Sequence, residues 1–243
     1  MRITRLYHSE KLTCGEITSL DASASSHLIR VLRTKQDSSI ILFNGDGFDY
    51  SCKTLDTNPK KTTISVVSRA PTKNESNLTI TLIQGLSRQD RMEATIQKSV
   101  ELGVSNIIPV TCQRSNSKLS NEKKIKKLEH WRKVAISACE QSGRSIIPDV
   151  KEIVSLNNIN PLLNEQALKL NLNPEAKFSL KDIDNKRQSI ELFIGPEGGL
   201  NDDETGFLNK NNFVDIRFGP RILRTETAGP AVISALQVLW GDF

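Results

Sequence analysis

The sequence predicts an α/β protein in two parts, a small β-rich module followed by a larger domain with a mostly parallel sheet. Residues 1–70 alternate short apolar runs with turn signals, and residues 70–77 are polar and contain a proline. From Leu78 onward, strand-like runs alternate with stretches of helical periodicity. We therefore expect two domains, over residues 1–72 and 73–243.

The first part has short strands around one helix. Asn44-Gly45-Asp46-Gly47 is a hairpin signal between two apolar runs, and Asn58-Pro59 ends the following strand. The predicted strands are 2–8, 39–44, 48–55 and 62–69, and the predicted helix is 21–33. A small β-rich module follows from these elements.

The second part alternates strands and helices, which favours parallel strands joined by helical crossovers. Met92, Ile96 and Val100 recur every four residues and predict the buried stripe of a helix that Gly103 terminates. Asn201 is the expected cap of a later helix. The predicted strands are 78–84, 106–110, 167–172, 190–194 and 213–218, and the predicted helices are 90–102, 121–141, 201–209 and 226–239.

Composition excludes several classes of protein. Hydrophobic residues make up 37% of the 243 residues and charges of both signs are interleaved, which argues against a disordered or collagen-like chain. No apolar run approaches the roughly 20 residues of a membrane span, and the N-terminal segment lacks the apolar core of a signal peptide. We therefore expect a soluble cytoplasmic protein. The net charge of +5 is compatible with a polyanionic partner but identifies none.

The cysteines and histidines do not predict a metal site. The four cysteines lie far apart and no pair has the Cys-x₂-Cys spacing, while only three histidines are present. Cys139 lies in an apolar helical pattern, which indicates a buried free thiol. A nucleophilic role for Cys139 would need a base that the sequence does not place nearby.

Three glycines and a proline directly follow the predicted strand 190–194, in Gly195-Pro196-Glu197-Gly198-Gly199. Glycines at this position let the backbone approach a ligand closely. The segment has neither the G-x-G-x-x-G nor the G-x-x-x-x-G-K-[ST] pattern, which disfavours a dinucleotide fold and a P-loop. On spacing alone, a simple strand-to-helix turn capped by Asn201 explains it equally well.

Two further segments repeat this design. Gly219-Pro220 follows a predicted strand and precedes a polar stretch with Arg221, Arg224 and Glu226, and residues 171–174 also stand at a strand end. Loops at the C-terminal ends of neighbouring parallel strands form one crevice. The three charged residues either line that crevice, lie solvated at a helix N-terminus or pair with one another.

These segments, in their order along the chain, resemble the RsmE family. That family consists of SPOUT-class methyltransferases that methylate N3 of a uridine in small-subunit ribosomal RNA. The resemblance extends from Met1 to Phe243. Besides the three loops, it rests on Gln84-Gly85-Leu86-Ser87-Arg88, on residues 96–104, on Ala138-Cys139-Glu140-Gln141-Ser142-Gly143-Arg144 and on Ala235-Leu236-Gln237-Val238.

The resemblance implies a PUA-like RNA-binding β-barrel followed by a SPOUT-type, trefoil-knotted methyltransferase domain. Periodicity alone would not predict the knot, since unknotted connections are the default. S-adenosylmethionine is then expected in a bent conformation against the loops 171–174, 194–199 and 218–223. The implied cofactor-binding residues are Leu172, Asn173, Ile194, Gly195, Pro196, Glu197, Gly199, Phe218, Gly219, Ile222, Leu223 and Thr227.

The chemistry of methylation at N3 of uracil determines which catalytic groups the enzyme needs. This atom lies on the Watson–Crick edge of uracil and carries a hydrogen, so the base must be unpaired or flipped and then deprotonated. The resulting anion needs a nearby cation. The implied cations are Arg88, Arg91, Arg144 and Arg224, and the implied proton acceptors are Glu226 and Glu140. We choose Arg224 and Glu226 first because their loop closes the cofactor crevice.

The resemblance also implies which residues face RNA. Residues 26–33 resemble the family's RNA-facing helix, with Arg30 and Arg33 as phosphate contacts, and Arg88 and Arg91 are further candidates. A capped surface helix with solvated arginines is the alternative. The basic run at 123–127 lies among glutamates, which is at least as typical of a solvated helical face.

The expected partners are 16S rRNA in the small ribosomal subunit and a second copy of the chain. Val232, Leu236 and Leu239 on the final helix are the predicted apolar contacts of the homodimer. Two alternatives for the function stay open. One is a SPOUT enzyme that methylates a ribose hydroxyl or another base, and the other is a ribosome-associated RNA binder that has lost catalysis.

Overall fold

The computed structural model describes residues 3–115, 119–184 and 187–243 of the chain. Contacts within the chain separate it into two units, Met1–Glu75 with Cys139–Ile147 and Ser76–Ala138 with Pro148–Phe243. Each unit contains its own sheet and its own cluster of buried apolar side chains. The domain boundary between residues 72 and 73 stays a prediction, since the first unit also includes a segment from the middle of the chain.

The first unit contains a five-stranded sheet in the order β1-β3-β4-β5-β2. Only the pair β1 and β3 is parallel. Alternate residues of the fourth strand, Tyr50, Cys52 and Thr54, are buried, which is the period-two pattern of a sheet with one face on the core. The strands are β1 (Thr4–Tyr7), β2 (Ile17–Ser19), β3 (Ser39–Phe43), β4 (Phe48–Thr54) and β5 (Thr63–Pro71).

Four of these strands correspond to predicted runs, whereas β2 was not predicted. It has three residues, and its one large apolar side chain, Ile17, is exposed, so no alternating pattern marks it. Arg2, where the first predicted strand begins, lies outside the described residues. Closure of this sheet into a barrel stays a prediction.

The predicted helix over 21–33 has two parts. A short helix, α1 (Ala22–Ser26), continues as a single π-helical turn over His27–Val31. The carboxylate of Asp21 caps α1 by accepting a hydrogen bond from the Ala24 N–H at 2.8 Å. Arg33 has a φ of 53°, which is left-handed backbone, so the helix ends before this residue and not at it.

The second unit contains a parallel sheet in the order β12-β10-β11-β6-β7-β8, with β9 also paired to β7. The central strands are buried on both faces, which explains why they appear in the sequence as continuous apolar runs. The strands are β6 (Thr79–Gly85), β7 (Asn106–Thr111), β8 (Asp149–Val150), β9 (Val154–Ser155), β10 (Leu168–Leu172), β11 (Ser189–Ile194) and β12 (Val214–Ile216).

Four longer helices follow the predicted positions closely. They are α2 (Gln89–Glu101), α3 (Asn121–Ser142), α4 (Asp202–Lys210) and α5 (Thr225–Trp240). The stripe of Met92, Ile96 and Val100 on α2 is fully buried, as predicted. Helix α5 packs against α2, β6 and β11. Val232 and Leu236 of α5 are fully buried within the unit itself, so their prediction as dimer contacts is wrong.

Candidate functional site

A cavity of about 890 Å³ lies at the C-terminal ends of three neighbouring strands of the second unit, β10, β11 and β12. In a parallel sheet these ends share one edge, and the loops that leave them bound a common crevice. The predicted crevice between the three segments is therefore present. Its volume lies within the range of small-molecule and cofactor pockets, about 300–1,000 Å³.

All but one of the predicted cofactor-binding residues line this cavity. Thr227 is the exception, because it lies in the first turn of α5 with its side chain exposed outside the cavity. Binding of a cofactor by these residues stays a prediction. The lining residues from the predicted set are Leu172, Asn173, Ile194, Gly195, Pro196, Glu197, Gly199, Phe218, Gly219, Ile222 and Leu223.

The glycine-rich loop between β11 and α4 lines the cavity and also leads into the capped start of α4. The interpretation as a ligand-binding loop and the interpretation as a strand-to-helix turn are therefore compatible. Asn201 accepts a hydrogen bond from the Glu204 N–H at 2.8 Å, and Glu204 accepts one from the Asn201 N–H at 3.1 Å. Gly199 has a φ of 70°, and its N–H donates to the carbonyl of Pro196. The turn therefore needs glycine at position 199.

A close backbone contact holds the same loop against β6. A Cβ atom on Gly85 would lie 2.5 Å from the backbone nitrogen of Pro196 and 2.8 Å from the carbonyl carbon of Gly195. Only glycine allows two chain segments to pass this closely. Sequence reasoning did not single out Gly85 as a site residue, although its position directly after an apolar strand is the same signal that marked the other loops.

Hydrogen bonds to one carboxylate orient the loop after β10. Asp215 on β12 accepts from the side-chain amides of Asn171 at 2.7 Å and Asn173 at 2.8 Å. Asn171 is 3% exposed and also lines the cavity. Sequence reasoning missed Asp215, because its partners lie more than 40 residues away and only the strand pairing brings them together.

The charged residues around the cavity separate into paired and unpaired groups. Arg91 on α2 forms a salt bridge with Glu197 at 2.8 Å and lies 3.8 Å from Glu226. Glu226 thus pairs with Arg91 and not with Arg221 or Arg224, and its Oε2 is buried with no hydrogen-bond partner among the described residues. Glu226 does not itself line the cavity.

Arg221 and Arg224 both line the cavity and are exposed. Neither guanidinium has a salt-bridge partner within the part of the chain that the structure describes. An exposed, unpaired guanidinium beside a cavity keeps its N–H donors available for an anionic group. Of the predicted catalytic cations, Arg224 is the one that lines the cavity without such a partner, and its catalytic role stays a prediction.

Arg144 lies elsewhere, in the first unit. It is 3% exposed, and its guanidinium forms a two-pronged salt bridge with Glu75, with Nε and Nη2 at 3.0 and 2.6 Å from the two carboxylate oxygens. This geometry is typical of a structural pair. A catalytic role for Arg144 stays a prediction that its surroundings do not support.

Two other residues of the same motif also have structural surroundings. Glu140 accepts a hydrogen bond from the Tyr7 N–H at 2.9 Å, and burial raises the pKa of its carboxyl despite that bond. Burial also raises the pKa of the Cys139 thiol to about 12, so the thiol stays protonated. The prediction of a buried free thiol at Cys139 is confirmed.

Three of the four predicted RNA-facing arginines are exposed. Arg30 lies in the π-helical turn, Arg33 follows its last residue by two positions, and Arg88 precedes α2. Arg91, in contrast, is engaged with two carboxylates at the cavity. In the basic run on α3, Lys126 pairs with Glu122 at 2.7 Å, which agrees with a solvated helical face.

No helix among the described residues is long and apolar enough to cross a bilayer. Within the same residues, no group of three or more His, Cys, Asp or Glu side chains could hold a metal ion.

Comparison with protein families gives the class of this chain. The RNA methyltransferase domain model matches residues 74–237, and the RNA methyltransferase PUA domain model matches residues 20–67. The fold and the matches together define an α/β RNA methyltransferase with a PUA domain. The cavity lies entirely within the residues that the methyltransferase model covers.

Individual relatives give the family. Ribosomal RNA small subunit methyltransferase E of Buchnera aphidicola subsp. Acyrthosiphon pisum is 33% identical, covering 100% of this chain and 96% of that protein. The structure of the Neisseria gonorrhoeae enzyme of that name, bound to S-adenosylmethionine, is 36% identical and matches with a TM-score of 0.93. The structure of a putative methyltransferase of Legionella pneumophila, also bound to S-adenosylmethionine, is 35% identical and matches with a TM-score of 0.95. Both structures match over 100% of both chains. The chain belongs to the RsmE family.

Proposed function

We propose that this protein transfers a methyl group from S-adenosylmethionine to N3 of a uridine in the 16S rRNA of the small ribosomal subunit. The observation that carries the proposal is the cavity at the strand ends, with three predicted loops as its walls and, at its lining, Arg224 without a salt-bridge partner among the described residues. The full-length likeness to ribosomal RNA small subunit methyltransferases supports the substrate. The SAM-bound relatives support the cofactor.

The side chains of the cavity fit S-adenosylmethionine, which joins an apolar adenine face to a cationic sulfonium and an ammonium group. Ile194 and Leu223 offer apolar surface, and the acidic residues Glu175, Glu197 and Asp202 line the same space. When bound, the cofactor supplies an activated methyl group. The protein's own tasks are then to hold the acceptor atom in line and to take up its proton.

Arg224 is our choice for stabilising the uracil anion, because it is the predicted catalytic cation that lines the cavity without a salt-bridge partner among the described residues. Glu226 is our choice for the proton acceptor on the resemblance alone; its carboxylate pairs with Arg91, and the residue itself does not line the cavity. Arg91 holds one oxygen of Glu226 and also Glu197. Its role in the proposal is to position these two carboxylates.

The first unit is proposed to dock the RNA. Arg30 on the π-helical turn and Arg33 just beyond its end are exposed cations, and phosphate contacts need no more than that. A net charge of +5 over 243 residues is too small to bind naked RNA tightly, so we expect the assembled small subunit as substrate. The cytoplasm is the corresponding location.

A trefoil knot in the loop region and a homodimer belong to the same proposal. On α5, Val238 and Leu239 are 62% and 47% exposed and replace Val232 and Leu236 as the proposed apolar contacts between copies. Sedimentation of the full chain tests the dimer. A monomeric mass at micromolar concentration would contradict it.

The decisive experiment is nucleoside mass spectrometry on small subunits from cells that lack this protein. Incubation with the purified protein and S-adenosylmethionine should produce N3-methyluridine, and Arg224→Ala should produce much less. A methylated ribose or another methylated base would favour the first alternative function. S-adenosylmethionine binding without any methyl transfer to subunits or free RNA would favour the RNA binder.

A further inference from the structure

A buried glutamine connects three elements behind the cavity. Gln84, near the end of β6, is fully buried, and its side-chain N–H₂ donates to the carbonyl of Gly85 at 3.0 Å and to the hydroxyl of Thr225 at 2.9 Å. Thr225 in turn donates from its hydroxyl to the carbonyl of Gly195 at 3.3 Å. A chain of hydrogen bonds therefore runs from β6 through the first residue of α5 to the glycine-rich loop.

Two glycines lie next to this side chain. Gly229 of α5 faces Gln84, since a Cβ atom added there would lie 3.6 Å from the Gln84 Oε1. On the other side, the contact between Gly85 and Pro196 leaves no room for a side chain. Thr225 and Gly195 both line the cavity. The chain of hydrogen bonds thus reaches the cavity wall.

Stability alone does not explain a glutamine at this position. Its Oε1 is buried with no hydrogen-bond partner among the described residues, and an unsatisfied buried polar atom is costly. An apolar side chain of similar size would avoid that cost. The gain must therefore lie in the two hydrogen bonds that the amide donates.

We propose that Gln84 is a positioning residue for the cofactor site, an inference that rests on the function proposed above. By holding the Thr225 hydroxyl, it turns the Gly195 carbonyl toward α5 and fixes the Gly195–Pro196 peptide plane. The glycine-rich loop and the first turn of α5 are thereby held together as one wall of the cavity. Glu226 directly follows Thr225 in that turn. Preorganised walls bind a ligand more tightly because less ordering remains to be done on binding.

The chain offers a matched control at the other end of α5. Gln237 is also fully buried, but both ends of its amide are bonded: Oε1 accepts from the Ser76 hydroxyl at 2.8 Å, and Nε2 donates to the Leu102 carbonyl at 3.1 Å. It is not among the residues that line the cavity. Replacing it therefore disturbs the same helix without disturbing the loop.

The experiment measures S-adenosylmethionine affinity by calorimetry and stability by denaturant unfolding for the full-length wild type, Gln84→Met, Gln237→Met, Thr225→Val and Thr225→Ser. Gln84→Met and Thr225→Val should each weaken cofactor binding about tenfold, as the loss of a buried hydrogen bond predicts. Thr225→Ser keeps the hydroxyl and should restore wild-type affinity. Gln237→Met should lose more stability than Gln84→Met and keep wild-type affinity.

Each result has a distinct meaning. Wild-type affinity in a folded Gln84→Met protein would overturn the inference while the proposed cofactor site stands. Equal loss of affinity in Gln84→Met and Gln237→Met would also overturn it, since the effect would then be general. If Gln84→Met does not fold, equal affinities of Thr225→Val and Thr225→Ser would overturn it. Failure of the wild type to bind S-adenosylmethionine would remove the proposed cofactor site itself and this inference with it.

Discussion

Two buried arginines of the first unit and one arginine at the cavity of the second unit have opposite roles. In the first unit, Arg5 and Arg144 have 9% and 4% of their side chains exposed and form salt bridges with Asp49 and Glu75. In the second unit, Arg224 is exposed at the cavity, and no salt bridge joins it to any residue that the structure describes. Burial, not residue type or neighbouring sequence, separates the two groups.

The physical reason is the cost of removing a charge from water. A buried guanidinium is tolerated only when it is paired and hydrogen-bonded, so its removal leaves an uncompensated partner and destabilises the fold. An exposed guanidinium contributes little to stability but remains available to an anion. Arg144 and Arg224 both lie in polar segments close to a glycine, and the sequence alone does not distinguish these two roles.

The largest effect that this comparison predicts is on catalysis. Arg224→Ala should reduce methyl transfer by about 10²–10³-fold, as expected when a charge that stabilises a developing anion is removed. Its stability should stay within about 0.5 kcal/mol of wild type because the side chain is exposed. Single-turnover methylation of small subunits and urea unfolding measure the two effects.

The control for Arg224→Ala is Lys133→Ala, which removes an exposed cation from α3 in the same unit. It should change neither quantity. Methyl transfer by Arg224→Ala at the wild-type rate would refute the assignment of this residue.

The second effect is on stability. Arg144→Met should destabilise the protein by about 3 kcal/mol, the lower end for a broken buried pair, since 23% of the Glu75 side chain is exposed. The double variant Arg144→Met with Glu75→Gln should recover part of that loss, because no carboxylate is then left without its partner. Urea unfolding of both variants checks this prediction.

Cofactor affinity of the folded Arg144→Met protein should equal that of wild type, because the cavity lies in the other unit. If instead Arg144→Met were as stable as wild type and failed to transfer methyl groups, Arg144 would belong with Arg224 as a catalytic residue.

The third effect is on cofactor binding by the glycine-rich loop between β11 and α4 of the second unit. Gly199→Val should weaken S-adenosylmethionine binding by about five- to thirtyfold, because a non-glycine residue at a φ of 70° costs roughly 1–2 kcal/mol. Open space around this position means that the cost comes from the backbone and not from a collision. Gly206→Val, in α4 with equally open surroundings and an ordinary φ, is the matched control for calorimetry.

The smallest predicted effect is on the pH dependence of stability. It compares Glu140 in the first unit with Glu191 in the second. Burial raises the pKa of Glu140 and of Glu191, although each accepts a backbone N–H, from Tyr7 and Asn164. Because the folded pKa lies above the unfolded value, each group adds stability that is complete below the ordinary value of 4.5 and is lost as pH rises through the folded pKa.

Glu140→Gln and Glu191→Gln should therefore be more stable than wild type at neutral pH, and the difference should vanish toward pH 4. Unfolding across a pH series measures it. A difference that grows as the pH falls would contradict the direction of both shifts.

Helices and strands were predictable from the sequence where burial imposed a regular pattern of apolar residues. The α2 stripe at Met92, Ile96 and Val100 and the buried run of β11 were found because burial imposes a period on the side chains. The short strand β2 was missed because it has no such period. The last predicted strand, 213–218, proved shorter, as β12 spans only Val214–Ile216 before the Gly219-Pro220 turn.

The sequence by itself determined the longer strands and helices, the glycine loops after the strands and the family that these loops resemble, since each is a local pattern along the chain. Only the tertiary structure decided the partners: Arg91 with Glu197, Arg144 with Glu75, Asp215 with Asn171, and Gln84 with Thr225. The physical reason is that a side chain's charge and hydrogen-bonding capacity are local properties, whereas its burial and partners depend on residues 40 to more than 140 positions away, which only folding brings together.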